Sequence, residues 1–392
     1  MVTLYEQDAR LGGHAHTHDV VIDGRTFPVD TGFMVFNAHT YPHFVRLVAD
    51  LGVESRPSDM SFSVRCRRCA IEFSSVGLDG LFAQRSRLLS GGHWRLLADI
   101  LKFFRIGRRA LAGGVETRTL GEFLDQNGFG DQLARHFVLP MGGAIWSASP
   151  LEMRGFPAAS YLRFMANHGL LAAVGQPQWR TILGGSRMYV DALAARLGPS
   201  VRAGTPVRTV ARHDRGVSIT TADGNASEHD AVVMATHADQ ALAILADPSP
   251  REREALGRFR YSTNDTCLHS DERFLPAEPD AHASWNCDLA DCQDPRSPIS
   301  VTYDLNRLQG HRPGRALLCT LNPIEPVAGD LIARMTYTHP ILDAAAIAGQ
   351  GLVSGINGQR HTWFCGAHLR YGFHEDGLAS AVAVARGLGV EF

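Results

Sequence analysis

The chain opens on a short apolar run, Val2-Thr3-Leu4-Tyr5, that stops at Glu6. A turn at Arg10-Leu11-Gly12-Gly13 follows, then alternation through Val20-Val21-Ile22 to Gly24, which predicts a strand, a loop and a hairpin. From about 37 to 183 the apolar spacing is mainly helical, with one strand pair near 61–73. Beyond Gly184 the pattern predicts a helix over 188–197 and strands at 201, 206–207, 217–221 and 231–235, with a turn at Asp223-Gly224. Helices are predicted over 238–246 and 249–258. The proline-punctuated stretch 261–337 reads as strands and long loops. The chain closes with a strand at 362–365, a glycine-bearing loop and a helix from about 376 to 388.

Strand-helix alternation is therefore confined to 1–36, 184–245 and 335–392, and the segments 37–183 and 246–334 are inserted between them. The expectation is one doubly wound α/β domain built from three pieces and a second, α+β domain built from the insertions.

Composition narrows the class. With 45% hydrophobic and 20% charged residues over 392 positions, disordered and fibrous classes are excluded. No apolar run approaches the roughly 18–20 residues of a membrane span. The first residues lack a basic-then-apolar leader, so the expected location is cytoplasmic. A net charge of -2 leaves no electrostatic footprint for nucleic acid. Seven dispersed cysteines read as reduced thiols. Lys102 is the only lysine, so chemistry that needs an ammonium or a Schiff base has a single candidate.

Several residue groups could carry chemistry. An acid closing a strand in a doubly wound fold, as Glu6 does, can accept hydrogen bonds from the ribose hydroxyls of an adenosine, or be a solvated carboxylate. Gly12 and Gly13 let backbone approach a ligand closely. Trp363-Phe364-Cys365-Gly366-Ala367-His368 leads through Tyr371-Gly372-Phe373-His374-Glu375-Asp376-Gly377 into a helix. A strand, a turn and a helix N-terminus make an anion site, suited to the pyrimidine end of an isoalloxazine. The same residues also read as a helix capped by Asp376. His14, His16 and His18 would share a strand face, and Cys66-Arg67-Arg68-Cys69 has zinc-knuckle spacing, but no second pair lies nearby in the sequence. The expectation is no metal and a hairpin turn at 66–69.

The chain resembles the flavin-containing amine oxidase superfamily, nearest a bacterial branch of amine-oxidase-like FAD/NAD(P)-binding proteins. The resemblance rests on Leu4-Tyr5-Glu6 with Gly12-Gly13-His14, Asp30-Thr31-Gly32-Phe33-Met34-Val35-Phe36-Asn37, and Pro140-Met141 through Ala144-Ile145-Trp146-Ser147. It continues through Asn167-His168-Gly169-Leu170-Leu171, Pro177-Gln178-Trp179-Arg180, Gly184-Gly185-Ser186, and the Gly366 to Asp376 tail. It implies an α/β fold with an FAD-binding Rossmann-like domain of the glutathione-reductase type and an inserted α+β substrate domain. It also implies that Glu6 holds ribose, that Gly12, Gly13 and Gly32 line the flavin, and that the Val207 backbone meets adenine. Gly366, Phe373, His374, Glu375, Asp376 and Gly377 would meet the ribityl chain and pyrimidine end. Trp146, His168 and Trp179 fall on the substrate side as catalytic candidates.

Two departures shape the functional expectation. The family's Gly-x-Gly-x-x-Gly stands about 20 residues before the ribose acid, whereas five residues precede Glu6 here. The reading is an N-terminally truncated form, with weak or absent FAD binding as the alternative to a working flavoprotein. The family's amine oxidases also keep a lysine near the flavin, and Lys102 lies outside the matched motifs. That shifts the expectation from oxidative deamination toward an FAD-dependent oxidoreductase taking hydride from a small apolar or lipid-like substrate. The alternatives are a flavin-deficient remnant and a flavin-dependent isomerase without net redox. In 93–111, Arg95, Lys102, Arg105 and Arg109 form one stripe and Trp94, Leu97, Leu101 and Phe104 another. This predicts either a surface helix packed on the core or peripheral contact with the inner membrane face. Oligomeric state is not encoded in these patterns.

Overall fold

Four short parallel strands carry the opening, middle and closing segments. Leu4–Tyr5 pairs with Val201–Arg202, and Val232–Met234 pairs with Thr362–Phe364. Parallel pairing requires long crossovers, which here contain Arg187–Leu197, Ala344–Ile356 and the inserted regions. The computed structural model describes residues 2–114, 118–328 and 330–392.

The second layer is a seven-stranded sheet. Its order is Leu331–Ile341, Arg260–His269, Leu318–Leu321, Ile299–Asp304, Trp285–Leu289, Phe62–Cys66 and Ile71–Ser74. All neighbours are antiparallel except Trp285–Leu289 beside Phe62–Cys66. The helices of the insertion bury Phe103, Leu120, Leu124, Tyr161 and Leu162 in one core, and Val29, Phe36, Phe44, Leu305 and Leu317 lie in another.

Two boundaries expected from the pattern fall elsewhere. The break expected at 334/335 cuts the strand Leu331–Ile341, which pairs with Arg260–His269 to Ile341, so the chain leaves this sheet after 341. The break at 245/246 also moves. Helix Pro250–Leu256 is tied to strand Val207–His213 by Arg212, whose buried guanidinium binds Glu252 (2.7 Å) and Asp247 (2.8 Å). Within 37–183 the helical pattern hides three strands, Phe36–Asn37, Ser55–Ser58 and Trp179–Ile182, which make a small sheet of their own.

Helix Gly91–Gly113 corrects the predicted stripe. It buries His93, Leu96, Ile100, Phe103, Phe104 and Gly107, so Phe104 turns inward. Trp94 and Leu101 stay 52% and 57% exposed. The apolar arc toward the core thus lies about a quarter turn from the one the spacing suggested, because Leu96, Ile100 and Phe103 pack it.

Candidate functional site

The loop after Glu6 is braced from within. The Arg10 guanidinium donates to the carbonyls of Leu11, Gly13 and Ala15 at 2.7–3.1 Å. One cation thus occupies three of the loop's carbonyls, and the Ala15 amide takes a fourth, that of Gly12, at 2.9 Å. A Cβ on Gly12 would stand 2.6 Å from the Ala15 carbonyl oxygen, whereas one on Gly13 would meet nothing within 4 Å. The segment 31–33 lies against this loop: the Phe33 amide donates to His14 O (2.8 Å) and the Thr31 amide to His16 O (3.0 Å). Gly32 sits between them, and its Cβ would fall 2.0 Å from His14 O.

Asp30 locks this arrangement. Its buried carboxylate accepts from the Ser186 amide and hydroxyl, the Thr17 hydroxyl at 2.6 Å and the Gln309 amide at 2.9 Å. Ser186 starts helix Arg187–Leu197, which touches both the glycine loop and the amino end of the final helix. Val190 packs where a Gly12 side chain would be, and the Tyr189 hydroxyl hydrogen-bonds His374 Nε2 at 3.1 Å. Glu6 lies at the far end of the track. Its amide donates to Arg202 O, its carbonyl accepts from Thr205 N, and its carboxylate accepts from Asp8 N. These bonds set Glu6 beside the entry to the strand that begins at Val207.

The final helix begins earlier than expected, at His374. Asp376 is not its N-cap but its third residue, reaching back to the amides of Phe373 (2.9 Å) and Tyr371 (3.2 Å). Burial raises its carboxyl to about 6. The Glu375 side chain turns to the start of helix Pro42–Asp50, accepting from His43 Nδ1 (2.6 Å) and from the His43 and Phe44 amides. The His374 ring stacks on Phe33 with centroids 3.9 Å apart, so no planar group can enter between them. At 374 and 375 only backbone is left to face a ligand. Gly366 has its own constraint: a Cβ there would strike the His368 ring at 2.5 Å.

Trp146, His168 and Trp179 come together although 33 residues separate the first and last in the sequence. Phe164 is their hub: it stacks on His168 (3.9 Å) and Phe373 (4.7 Å) and meets Trp146 edge-on (5.0 Å). Trp179 lies parallel to His168 at 6.0 Å. The chain of rings ends at Phe373, the residue that precedes the final helix. His168 Nδ1 bonds Phe164 O at 2.9 Å, and burial lowers its pKa to about 4. The imidazole is therefore neutral at pH 7, a hydrogen-bonded wall and a weak base.

Sequence reasoning missed a group of histidines around His14. Its ring lies 4.9 Å from Tyr337 and 5.5 Å from His339. Ser147 and Asn264 hold His339 Nδ1 at 3.0 and 3.2 Å. Burial, reinforced by His14 and His237, lowers His339 to about 4. His237, His339 and Tyr337 are isolated in the sequence and carry no motif; strand Leu331–Ile341 brings Tyr337 and His339 here, and His237 precedes helix Ala238–Ile244, stacked on Tyr261 at 4.0 Å.

The residues present suit a large planar, polar cofactor. His14 Nε2, His368 Nε2 and Trp179 Nε1 are buried with no hydrogen-bond partner, and the Gly13 side of the loop is open. Buried polar atoms of this kind ordinarily have a partner, and a flavin ring edge is rich in nitrogen and oxygen. Glu6 and the 205–207 backbone suit its ribose and adenine. The amino end of the last helix suits a partial negative charge.

The architecture is that of flavoproteins with a Rossmann-like FAD-binding domain. The model of the family "Flavin containing amine oxidoreductase" matches residues 1–286, and the chain belongs to that family. The chain is 30% identical over 263 residues to "Putative flavin-containing monoamine oxidase AofH" of Mycobacterium tuberculosis, covering 63% of this chain and 54% of that protein. It thus spans about half the length of the curated relatives it matches. Among solved structures, a CLA-producing fatty acid isomerase from P. acnes aligns with a TM-score of 0.68 at 16% identity, covering 98% of this chain and 92% of that one. Putrescine oxidase bound to putrescine aligns with a TM-score of 0.67 at 13% identity, covering 99% and 93%. These likenesses show the fold. FAD is the cofactor the family implies.

Proposed function

We propose that this chain is an FAD-dependent oxidoreductase that takes hydride from a small apolar or lipid-like substrate. The observation that carries the reading is the run of rings Trp146–Phe164–His168–Trp179, which ends at Phe373 on the amino end of the last helix. Bound FAD supplies a two-electron acceptor. The chain's own residues do the rest. The Arg10-braced loop and the 366–377 backbone orient the cofactor. The aromatic wall excludes water and aligns an apolar C–H, and neutral His168 adds no charge that would repel it.

Lys102 supports a reaction other than amine oxidation. Its ammonium donates to the Asn127 and Gly128 carbonyls and sits 4.7 Å from the Phe129 ring, out in the helical insertion. Dehydrogenation and isomerisation are the chemistries this placement favours. They are told apart by whether an electron acceptor is consumed along with the flavin's substrate.

The test is spectroscopic first. The purified chain, reconstituted with FAD and desalted, is expected to retain absorbance at about 450 nm, the signature of oxidised flavin. No retained flavin would leave the remnant reading in its place. Trp179→Leu is then expected to raise KM for an apolar substrate roughly tenfold with flavin content unchanged. A loss of flavin in that variant would move Trp179 to the cofactor side.

No helix among the described residues is long and apolar enough to cross a membrane. We further propose peripheral contact of helix Gly91–Gly113 with an anionic bilayer, supported by Trp94, Leu101 and the neighbouring Leu89, which is 94% exposed, beside exposed Arg95 and Arg105. Flotation with vesicles containing phosphatidylglycerol is expected to carry the protein upward, and Trp94→Ser with Leu101→Ser to abolish this. Equal flotation with neutral phosphatidylcholine would argue against the charge component.

A further inference from the structure

At the edge of the seven-stranded sheet opposite the histidine group, four soft donors converge. Cys66 ends the strand Phe62–Cys66, and Cys69 lies in the turn that leads to Ile71–Ser74. Cys292 follows the strand Trp285–Leu289, which runs parallel to Phe62–Cys66 with Leu289 opposite Cys66. His136 comes from the helical insertion, on the wide turn Ala134–Val138 that interrupts its helix. One ligand atom from each lies within 4.8 Å of all the others. The Cys69 sulfur is 3.2 Å from His136 Nε2 and 4.0 Å from the Cys292 sulfur.

We propose that Cys66, Cys69, His136 and Cys292 bind one zinc ion in a closed, structural site. Tetrahedral zinc with sulfur ligands at about 2.3 Å holds neighbouring sulfurs roughly 3.8 Å apart, close to the separation found here. Thiolate and imidazole donors select zinc over hard, oxygen-seeking cations. A multi-iron cluster needs ligands spread around a larger body than this group encloses. Four protein donors leave no open coordination position, the mark of a structural rather than a catalytic ion. Placement agrees. Four strands stand between Phe62–Cys66 and the Leu331–Ile341 strand that bears Tyr337 and His339, roughly 24 Å at ordinary strand spacing.

The Cys-x-x-Cys spacing by itself predicts a hairpin turn. It is a turn, held by the Arg67 amide donating to Leu289 O at 2.9 Å. What the sequence could not show is that parallel pairing brings a cysteine 223 residues away back to it. The ion would join three separate parts, the hairpin, the loop after Trp285–Leu289 and the helical insertion, at the strand edge where the sheet has least support.

The experiment uses the full chain purified without chelator, equilibrated with equimolar zinc and desalted. Elemental analysis is expected to find one zinc per chain. Cobalt exchanged for zinc should give the visible bands of a tetrahedral thiolate complex. Cys69→Ser and Cys292→Ser, at the less buried positions, are expected to lower zinc retention at least tenfold. Should either variant fail to fold, removing zinc from the wild-type chain with a chelator is expected to lower its Tm and adding zinc back to restore it. Wild-type protein that holds no stoichiometric zinc, variants that hold as much as wild type, or a Cys69–Cys292 disulfide found by mass spectrometry of the zinc-equilibrated protein would each overturn the proposal.

Discussion

Lowering the pH from 7 to about 4.5 is expected to unfold this protein cooperatively. Burial lowers His168, His339, His368 and His374 from 6.5 to about 4 in the folded chain. Between those values the unfolded chain binds protons that the folded chain refuses, so stability falls as pH falls. Each group contributes about 1.4 kcal/mol per pH unit, and the four together about 5 kcal/mol per unit in the steepest part. Asp376 opposes them. Its folded-state carboxyl is raised from 3.8 to about 6, so its contribution grows as pH falls through that window, by about 1.4 kcal/mol per unit. The histidines win, and the net slope is large against the 5–15 kcal/mol by which a domain is usually stable. Circular dichroism melts across pH 4–8 check this. A Tm unchanged down to pH 4.5 would contradict it, and His168→Asn is expected to remove about a third of the net slope.

The second large effect separates two neighbouring glycines. Gly32→Ala places a Cβ 2.0 Å from the His14 carbonyl oxygen, a backbone atom that cannot rotate away. The 12–16 loop must retreat, and the bond from Phe33 N to His14 O breaks with it. Overpacking of this severity is expected to cost about 3 kcal/mol or more, and flavin retention is lost together with stability. Gly13→Ala has open space around its Cβ but a φ of +57°. It should cost only about 1 kcal/mol, while the new methyl occupies the face that a ligand approaches. Flavin retention is expected to fall with Tm lowered by a few degrees at most. Calorimetry beside flavin absorbance decides the point. If Gly13→Ala keeps wild-type flavin, the loop is not part of the cofactor's bed.

The backbone of the segments expected to meet the cofactor was legible because it is local. Glu6 at a strand end, the paired glycines, and the strand, turn and helix that close the chain are each written in a few consecutive residues. The side-chain roles of His374 and Glu375 were not legible from the same segment. Glu375 faces the start of helix Pro42–Asp50, and no spacing in 370–380 encodes a contact 331 positions away. The stripe predicted on 93–111 differs from the buried face for a related reason. Its sequence offers two apolar arcs, and the packing of Leu96, Ile100 and Phe103 chose one.

The order of residues alone determined the alternation of strand and helix and the glycines at which backbone packs closely on backbone, since these follow from backbone sterics and short-range periodicity. Tertiary structure decided which distant side chains share a neighbourhood: His14 with His237 and His339, Phe164 with Phe373, and Cys66 with Cys292. Those meetings depend on strand order and register, which are set by the burial of whole faces and not by any neighbouring residue.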